Sequence, residues 1–120
     1  MTVKGTLGRV LVVDDDHALR RAVRRQLEAE GWTVVDVESV SAALGAMRDG
    51  RELFDCVVSD VHMPASTGFD LIEQIRRYDD ELPVLLMTGD PSLDGAVRAI
   101  ETGAVSYLAK PFDQETLAST

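Results

Sequence analysis

Three consecutive carboxylates, Asp14, Asp15 and Asp16, stand directly after the apolar run Val10-Leu11-Val12-Val13. A fourth, Asp60, closes the stretch Cys56-Val57-Val58-Ser59, and a hydroxyl, Thr88, closes Val84-Leu85-Leu86-Met87. An ammonium, Lys110, follows the run from Ala104 to Ala109. If these ends meet, the acids need a partner. Two carboxylates about 4 Å apart repel by roughly 1 kcal/mol in water and by about 4 kcal/mol at an effective dielectric of about 20. Either one acid takes up a proton or a cation neutralises the group. Lys110 brings one positive charge; a divalent ion brings the rest. Oxygen ligands suit Mg²⁺ (or Mn²⁺), and Mg²⁺ usually keeps several waters and accepts phosphate oxygens. A carboxylate beside such an ion, a hydroxyl and an ammonium can support phosphoryl transfer, which needs positioning and charge stabilisation above all. Lys110 and the ion would neutralise phosphoryl oxygens, Thr88 would donate to one of them, and Asp60 is a candidate nucleophile, since carboxylates form aspartyl-phosphates.

The elements that would bring these groups together follow from the apolar pattern. Val10–Val13, Trp32–Val37, Cys56–Val58, Val84–Met87 and Ala104–Ala109 have strand length, and most read as buried on both faces, as in a parallel sheet. Helical patterns lie between them. Leu19, Val23 and Leu27 keep the four-residue step, with Gly31 placed to end that helix. Val40, Ala43, Leu44 and Met47 repeat it before Gly50; Phe69, Ile72 and Ile75 give a third stripe; Val97 and Ile100, before Gly103, give a fourth. A fifth, short helix is predicted after Phe112, capped by Asp113 with Phe112 and Leu117 at staple spacing. Alternating strands and helices predict a (βα)5 three-layer sandwich. In open parallel sheets, ligands bind outside the carboxyl ends of the strands. Asp14, Asp60, Thr88 and Lys110 all stand at such ends.

Bulk properties narrow the classes. The 120 residues make one domain, 45% hydrophobic and 28% charged, an ordinary globular balance. No apolar run is long enough to span a bilayer, and the first residues lack a secretory signal. The single cysteine, Cys56, cannot form an internal disulfide, so a cytoplasmic setting is expected. A net charge of -9 argues against direct nucleic-acid binding. Arg20, Arg21, Arg24 and Arg25 crowd one segment, read first as a solvated helix face and second as a docking surface for an acidic partner. Asp16 is expected to cap the first helix, with His17 beside it in solvent. Two histidines, His17 and His62, do not make a zinc site. Cys56, Trp32, Met47, Met63 and Met87 read as packing residues.

Taken together, Val12-Val13-Asp14-Asp15, Asp60-Val61-His62-Met63-Pro64, Thr88-Gly89 and Lys110-Pro111-Phe112 resemble the receiver domain of two-component response regulators, chemotaxis receivers included, from about Arg9 to Leu117. The resemblance implies a flavodoxin-like fold with strand order 2-1-3-4-5. It implies that Asp60 accepts a phosphoryl group from a sensor histidine kinase, a phosphotransfer protein or a small phosphodonor. Asp15 would ligate Mg²⁺ directly, Asp14 mainly through water, and the main-chain carbonyl of His62 would be a further ligand beside Asp60. Thr88 and Lys110 would contact the phosphoryl oxygens, and a cis Lys110-Pro111 bond would aim the lysine inward. Tyr107 stands where the family has a switch aromatic that turns inward as Thr88 moves. The readout face would be the last two helices with the fifth strand. His62 and Asp90 stand where the family tunes dephosphorylation. A C-terminal effector domain beyond residue 120 is expected, residues 1–120 being the receiver alone, and docking of the kinase is expected on the first helix at Arg20, Arg24 and Leu27. A phosphorylation-dependent homodimer is compatible with the resemblance. So is a role as a signalling domain, assisting its own phosphorylation and dephosphorylation, in place of a free-standing enzyme.

The sequence departs from the family at Ala65-Ser66-Thr67, where a hydrophobic residue and an acid or amide are common, which puts the packing of that loop in question. Gly89 would leave the pocket open beside Thr88. Three other readings compete. Asp14-x-Asp16 with Thr88 and Lys110 also resembles haloacid-dehalogenase-type phosphatases, with Asp14 as nucleophile, but that family wants an acidic pair beyond the lysine and a longer chain. A flavin or nucleotide module needs a Gly- or Ser/Thr-rich loop after the first strand, where this chain has three carboxylates. A degenerate receiver acting only as an interaction module would have no need of the intact acids, Thr88 and Lys110.

Overall fold

The computed structural model describes residues 7–48, 53–63, 65–77 and 79–109. Five strands, β1 (Gly8–Val13), β2 (Trp32–Val37), β3 (Cys56–Asp60), β4 (Val84–Thr88) and β5 (Ser106–Ala109), alternate with α1 (His17–Glu30), α2 (Val40–Arg48), α3 (Gly68–Arg76) and α4 (Leu93–Thr102). All strand pairs are parallel, in the order β2-β1-β3-β4-β5. This is the flavodoxin-like α/β sandwich expected from the sequence. The expected fifth helix, its Asp113 cap and its Phe112–Leu117 contact lie outside the described residues, as does the Gly50 stop after α2.

The alternation along the strands explains the layers. In β1, Leu11 and Val13 face one core while Val10 and Val12 face the other. In β4, Val84 and Leu86 join the first core, Leu85 and Met87 the second. Strands buried on both faces must be apolar at every position, so they read as unbroken runs. The first core is covered by Val40 and Ala43 of α2, by Phe69, Leu71, Ile72 and Ile75 of α3, and by Ala99 of α4. Val23 and Leu27 of α1 cover the second, with Trp32 and Cys56 packed at its margin.

Local chemistry sets the helix ends. Asp16 caps α1 by accepting from Leu19 N–H at 3.1 Å, and Gly31 closes it in the left-handed region with φ 110°. Thr67 caps α3 in a reciprocal box: its hydroxyl accepts from Asp70 N–H at 3.2 Å, and Asp70 accepts from Thr67 N–H at 2.9 Å. The polar Thr67 is therefore at home in the loop whose packing was in question.

Two expectations need correction. The stripe of α4 does not face the core: Ile100 is 77% and Leu93 80% exposed, with Val97 also exposed, and it is Ala99 that packs inward. Leu27, expected on a docking surface of α1, is 4% exposed in the second core. A helix face must satisfy the sheet beneath it first, and Leu27 is spent there.

Candidate functional site

The chain runs from β1 to β2 on one side of the sheet and returns past β1 to β3. The reversal opens a crevice at the carboxyl ends of β1 and β3, the usual ligand position in such sheets. Val13 pairs with Ser59, so Asp14 and Asp60 leave the sheet side by side. Asp60 pairs in turn with Met87, which sets Thr88 one residue beyond. Thr88 pairs with Ala109, the last described residue before Lys110.

The acidic group is therefore built by register. Asp14, Asp15 and Asp60 each offer a carboxylate oxygen, and these lie within 4.8 Å of one another. Asp14 is fully buried and Asp60 is 6% exposed, whereas Asp15 is open to solvent. Asp14 is held at three points. Its N–H donates to Val37 O at 3.1 Å, its carbonyl accepts from Arg20 Nη1 at 2.9 Å, and its Oδ1 accepts from Asp16 N–H at 2.9 Å. Asp16 thus serves two functions, cap of α1 and clasp on Asp14. Among described residues, this set of close, partly buried oxygens is the donor chemistry a hard divalent cation takes.

The floor beneath Asp60 depends on α3. Gly68 N–H donates to Val61 O at 2.9 Å, and Val61 N–H donates to Met87 O at 2.9 Å. A Cβ at Gly68 would stand 2.6 Å from the carbonyl oxygen of Asp60 and 2.8 Å from Leu86 Cδ2. Only glycine lets α3 begin this close to the strand that carries Asp60.

Thr88 is buried, and its Oγ1 accepts from Asp90 N–H at 3.0 Å. That bond uses an acceptor position and leaves the hydroxyl proton to donate elsewhere. Space beside Gly89 is open, as anticipated. His62 and Asp90 are both exposed at the rim. Tyr107 is half-buried against the first core, and its phenol oxygen accepts from Ser92 N–H at 3.3 Å. Lys110 and the Lys110-Pro111 bond lie outside the described residues. Beside Asp15, a cleft of about 310 Å³ opens between Ser39, Ser41, Met63 and Ser66.

Sequence reasoning missed Arg20 as part of this region. Its guanidinium is bonded to Asp36 and Asp14, not displayed to solvent. Arg24 also pairs with Asp36, and with Glu28 at 3.4 Å. Burial pushes the Asp36 carboxyl up, but the bonds from Arg20 and Arg24 outweigh it and hold the group below the usual carboxylate range. No local pattern links residues 20 and 36. The Thr67-x-x-Asp70 box, by contrast, was available in the sequence.

The model of the response regulator receiver domain matches residues 10–120. The chain is 45% identical over 109 residues to the response regulator protein FleR of Pseudomonas aeruginosa, covering 91% of this chain and 23% of that protein. It is 37% identical over 114 residues to the transcriptional regulatory protein FixJ of Bradyrhizobium diazoefficiens, covering 95% of this chain and 55% of that one. The chain thus spans about a quarter to about half the length of these relatives. The crystallised chemotaxis protein CheY4 of Vibrio cholerae superposes with a TM-score of 0.85 at 33% identity, covering 92% of each chain. No described helix is long and apolar enough to cross a membrane.

Proposed function

The chain belongs to the response regulator receiver domain family, and on that premise we propose that Asp60 is its phosphoryl acceptor, served by a Mg²⁺ site at Asp14 and Asp15. One observation carries the reading: the register of β1 against β3 gathers the oxygens of Asp14, Asp15 and Asp60 within 4.8 Å, two of the three acids buried. Packed so closely, three carboxylates need positive charge.

Asp14, Asp15, Asp60 and the main-chain carbonyl of His62 are the proposed ligands. A bound Mg²⁺ would supply charge neutralisation for the carboxylates and the incoming phosphoryl oxygens. A carboxylate oxygen of Asp60 attacks the phosphorus in line. The new P–O bond forms as the P–N bond of a phosphohistidine breaks, and the imidazole leaves with the electron pair. Thr88 donates its hydroxyl proton to a phosphoryl oxygen, and Lys110 is assigned a second one. The buried carboxylate of Asp14 keeps its place because its N–H, carbonyl and Oδ1 are all bonded.

The signal would leave through Thr88 and Tyr107. If Thr88 turns toward the phosphate, it releases Asp90 N–H, and the Tyr107 ring would then leave Ser92. Two states biased by one modification suffice for a switch, read out on α4, β5 and the segment that follows. The donor is proposed to be a sensor histidine kinase or phosphotransfer protein, and the output a C-terminal effector domain. His62 and Asp90, on the rim, are proposed to tune the loss of phosphate to water. A cytoplasmic setting goes with this reading.

Beryllium fluoride with Mg²⁺, a non-hydrolysable stand-in for the phosphoryl group, tests it. Amide resonances of Asp60, Thr88, Tyr107 and residues 91–103 should shift together, and Asp60→Asn should abolish the response. An unchanged spectrum of the unmodified protein would favour an interaction module without phosphoryl chemistry.

A further inference from the structure

We propose that Arg20 is a positioning residue for the metal site, a role that rests on the reading of Asp14 and Asp15 as Mg²⁺ ligands. The guanidinium reaches from α1 to the carboxyl ends of the paired strands β1 and β2, with only 12% of the side chain exposed. Nε donates to Asp36 Oδ2 at 2.8 Å, Nη1 donates to the main-chain carbonyl of Asp14 at 2.9 Å, and Nη2 lies 3.1 Å from His17 Nδ1. One planar group therefore touches the end of β1, the end of β2 and the first turn of α1.

The contact with Asp14 matters most. Beyond Val13 the β1 ladder has ended, so the carbonyl of Asp14 falls outside the register of both neighbouring strands. Asp14 itself is fully buried. A buried carbonyl without a donor is costly, and Arg20 is its donor. By fixing that carbonyl, Arg20 fixes the peptide plane joining Asp14 to Asp15, and with it the direction in which the exposed Asp15 carboxylate leaves the chain. Asp36 holds the other end of the fork, itself steadied by Arg24. The planar, multi-donor shape is essential: a lysine ammonium at this position cannot span Asp36 and Asp14 with the same pre-set geometry. Partners behind metal ligands commonly set ligand orientation, and losing one typically weakens metal affinity about 10- to 100-fold.

The test is Mg²⁺ titration of the unphosphorylated protein, followed by amide shifts of Asp15, Asp16 and Asp60, with thermal unfolding measured alongside. Arg20→Gln and Arg20→Lys should each raise the Mg²⁺ Kd about tenfold. Failure of the lysine to rescue separates the fork from simple charge. Should either variant fold poorly, Asp36→Ala removes the anchor and leaves Arg20 in place, and it should weaken Mg²⁺ in the same direction by less. Wild-type Kd in a folded Arg20 variant, or in Asp36→Ala when neither folds, overturns the proposal, whatever the loss of thermal stability. If the wild-type protein itself shows no Mg²⁺-dependent shift, the metal reading falls and this proposal falls with it.

Discussion

The backbone N–H of Ser92 donates to the phenol oxygen of Tyr107 at 3.3 Å, so a side chain of β5 grips the residue that caps α4. Ser92 Oγ in turn accepts from Gly95 N–H at 2.9 Å. A Cβ on Gly95 would overlap the Tyr107 hydroxyl. Gly→Ala inside an exposed helix ordinarily gains about 1 kcal/mol. Gly95→Ala should forfeit that gain and shift the Tyr107 ring resonances. Thermal unfolding with aromatic spectra checks this; a gain of about 1 kcal/mol with an unmoved ring would refute the contact.

Gly68 is a stricter case, because the atom in the way is backbone. Its Cβ would meet the Asp60 carbonyl at 2.6 Å. Overpacking of this kind costs about 1–3 kcal/mol. Gly68→Ala should lower the urea midpoint accordingly and slow modification of Asp60, since the residue would have to shift. Wild-type stability and rate together would show that α3 does not constrain the acceptor.

Asp36 predicts a pH dependence. Its folded pKa is held down by Arg20 and Arg24 against the opposing effect of burial. A group with a depressed folded pKa contributes stability above its unfolded value, about 3.9, and loses it as pH falls through the folded value. Asp36→Asn should therefore cost stability at pH 7, and the difference from wild type should shrink as pH drops below about 4. Chemical denaturation at both pH values measures it; a constant difference would mean the ion pairs carry none of it.

Cys56 is a packing residue, and burial pushes its thiol up to about 11. Thiolate is the reactive form. Iodoacetamide at pH 7.5 should label the folded protein far more slowly than the protein in urea. Equal rates would contradict its burial.

The strands were legible because each apolar run stops where the sheet stops, at Asp14, Asp60 and Thr88. Glycine endings and the Asp16 cap are local chemistry, and Gly31, Gly103 and Asp16 sit where the sequence put them. What escaped was tertiary. The arginines of α1 look like a solvated face in sequence, yet Arg20 and Arg24 meet Asp36, a residue on a different strand. The stripe of α4 has helical spacing but faces outward, because periodicity gives a face and not its direction. Gly68 and Gly95 have no local role; their need appears only when Asp60 and Tyr107 are packed against them.

The central claim, that Asp60 accepts a phosphoryl group with the help of a divalent ion, is tested most directly by intact mass after incubation with a small phosphodonor, with and without Mg²⁺. The account predicts one base-labile phosphoryl group per chain, dependent on Mg²⁺ and lost in Asp60→Asn. An adduct that persists in Asp60→Asn and vanishes in Asp14→Asn would contradict it and make Asp14 the nucleophile.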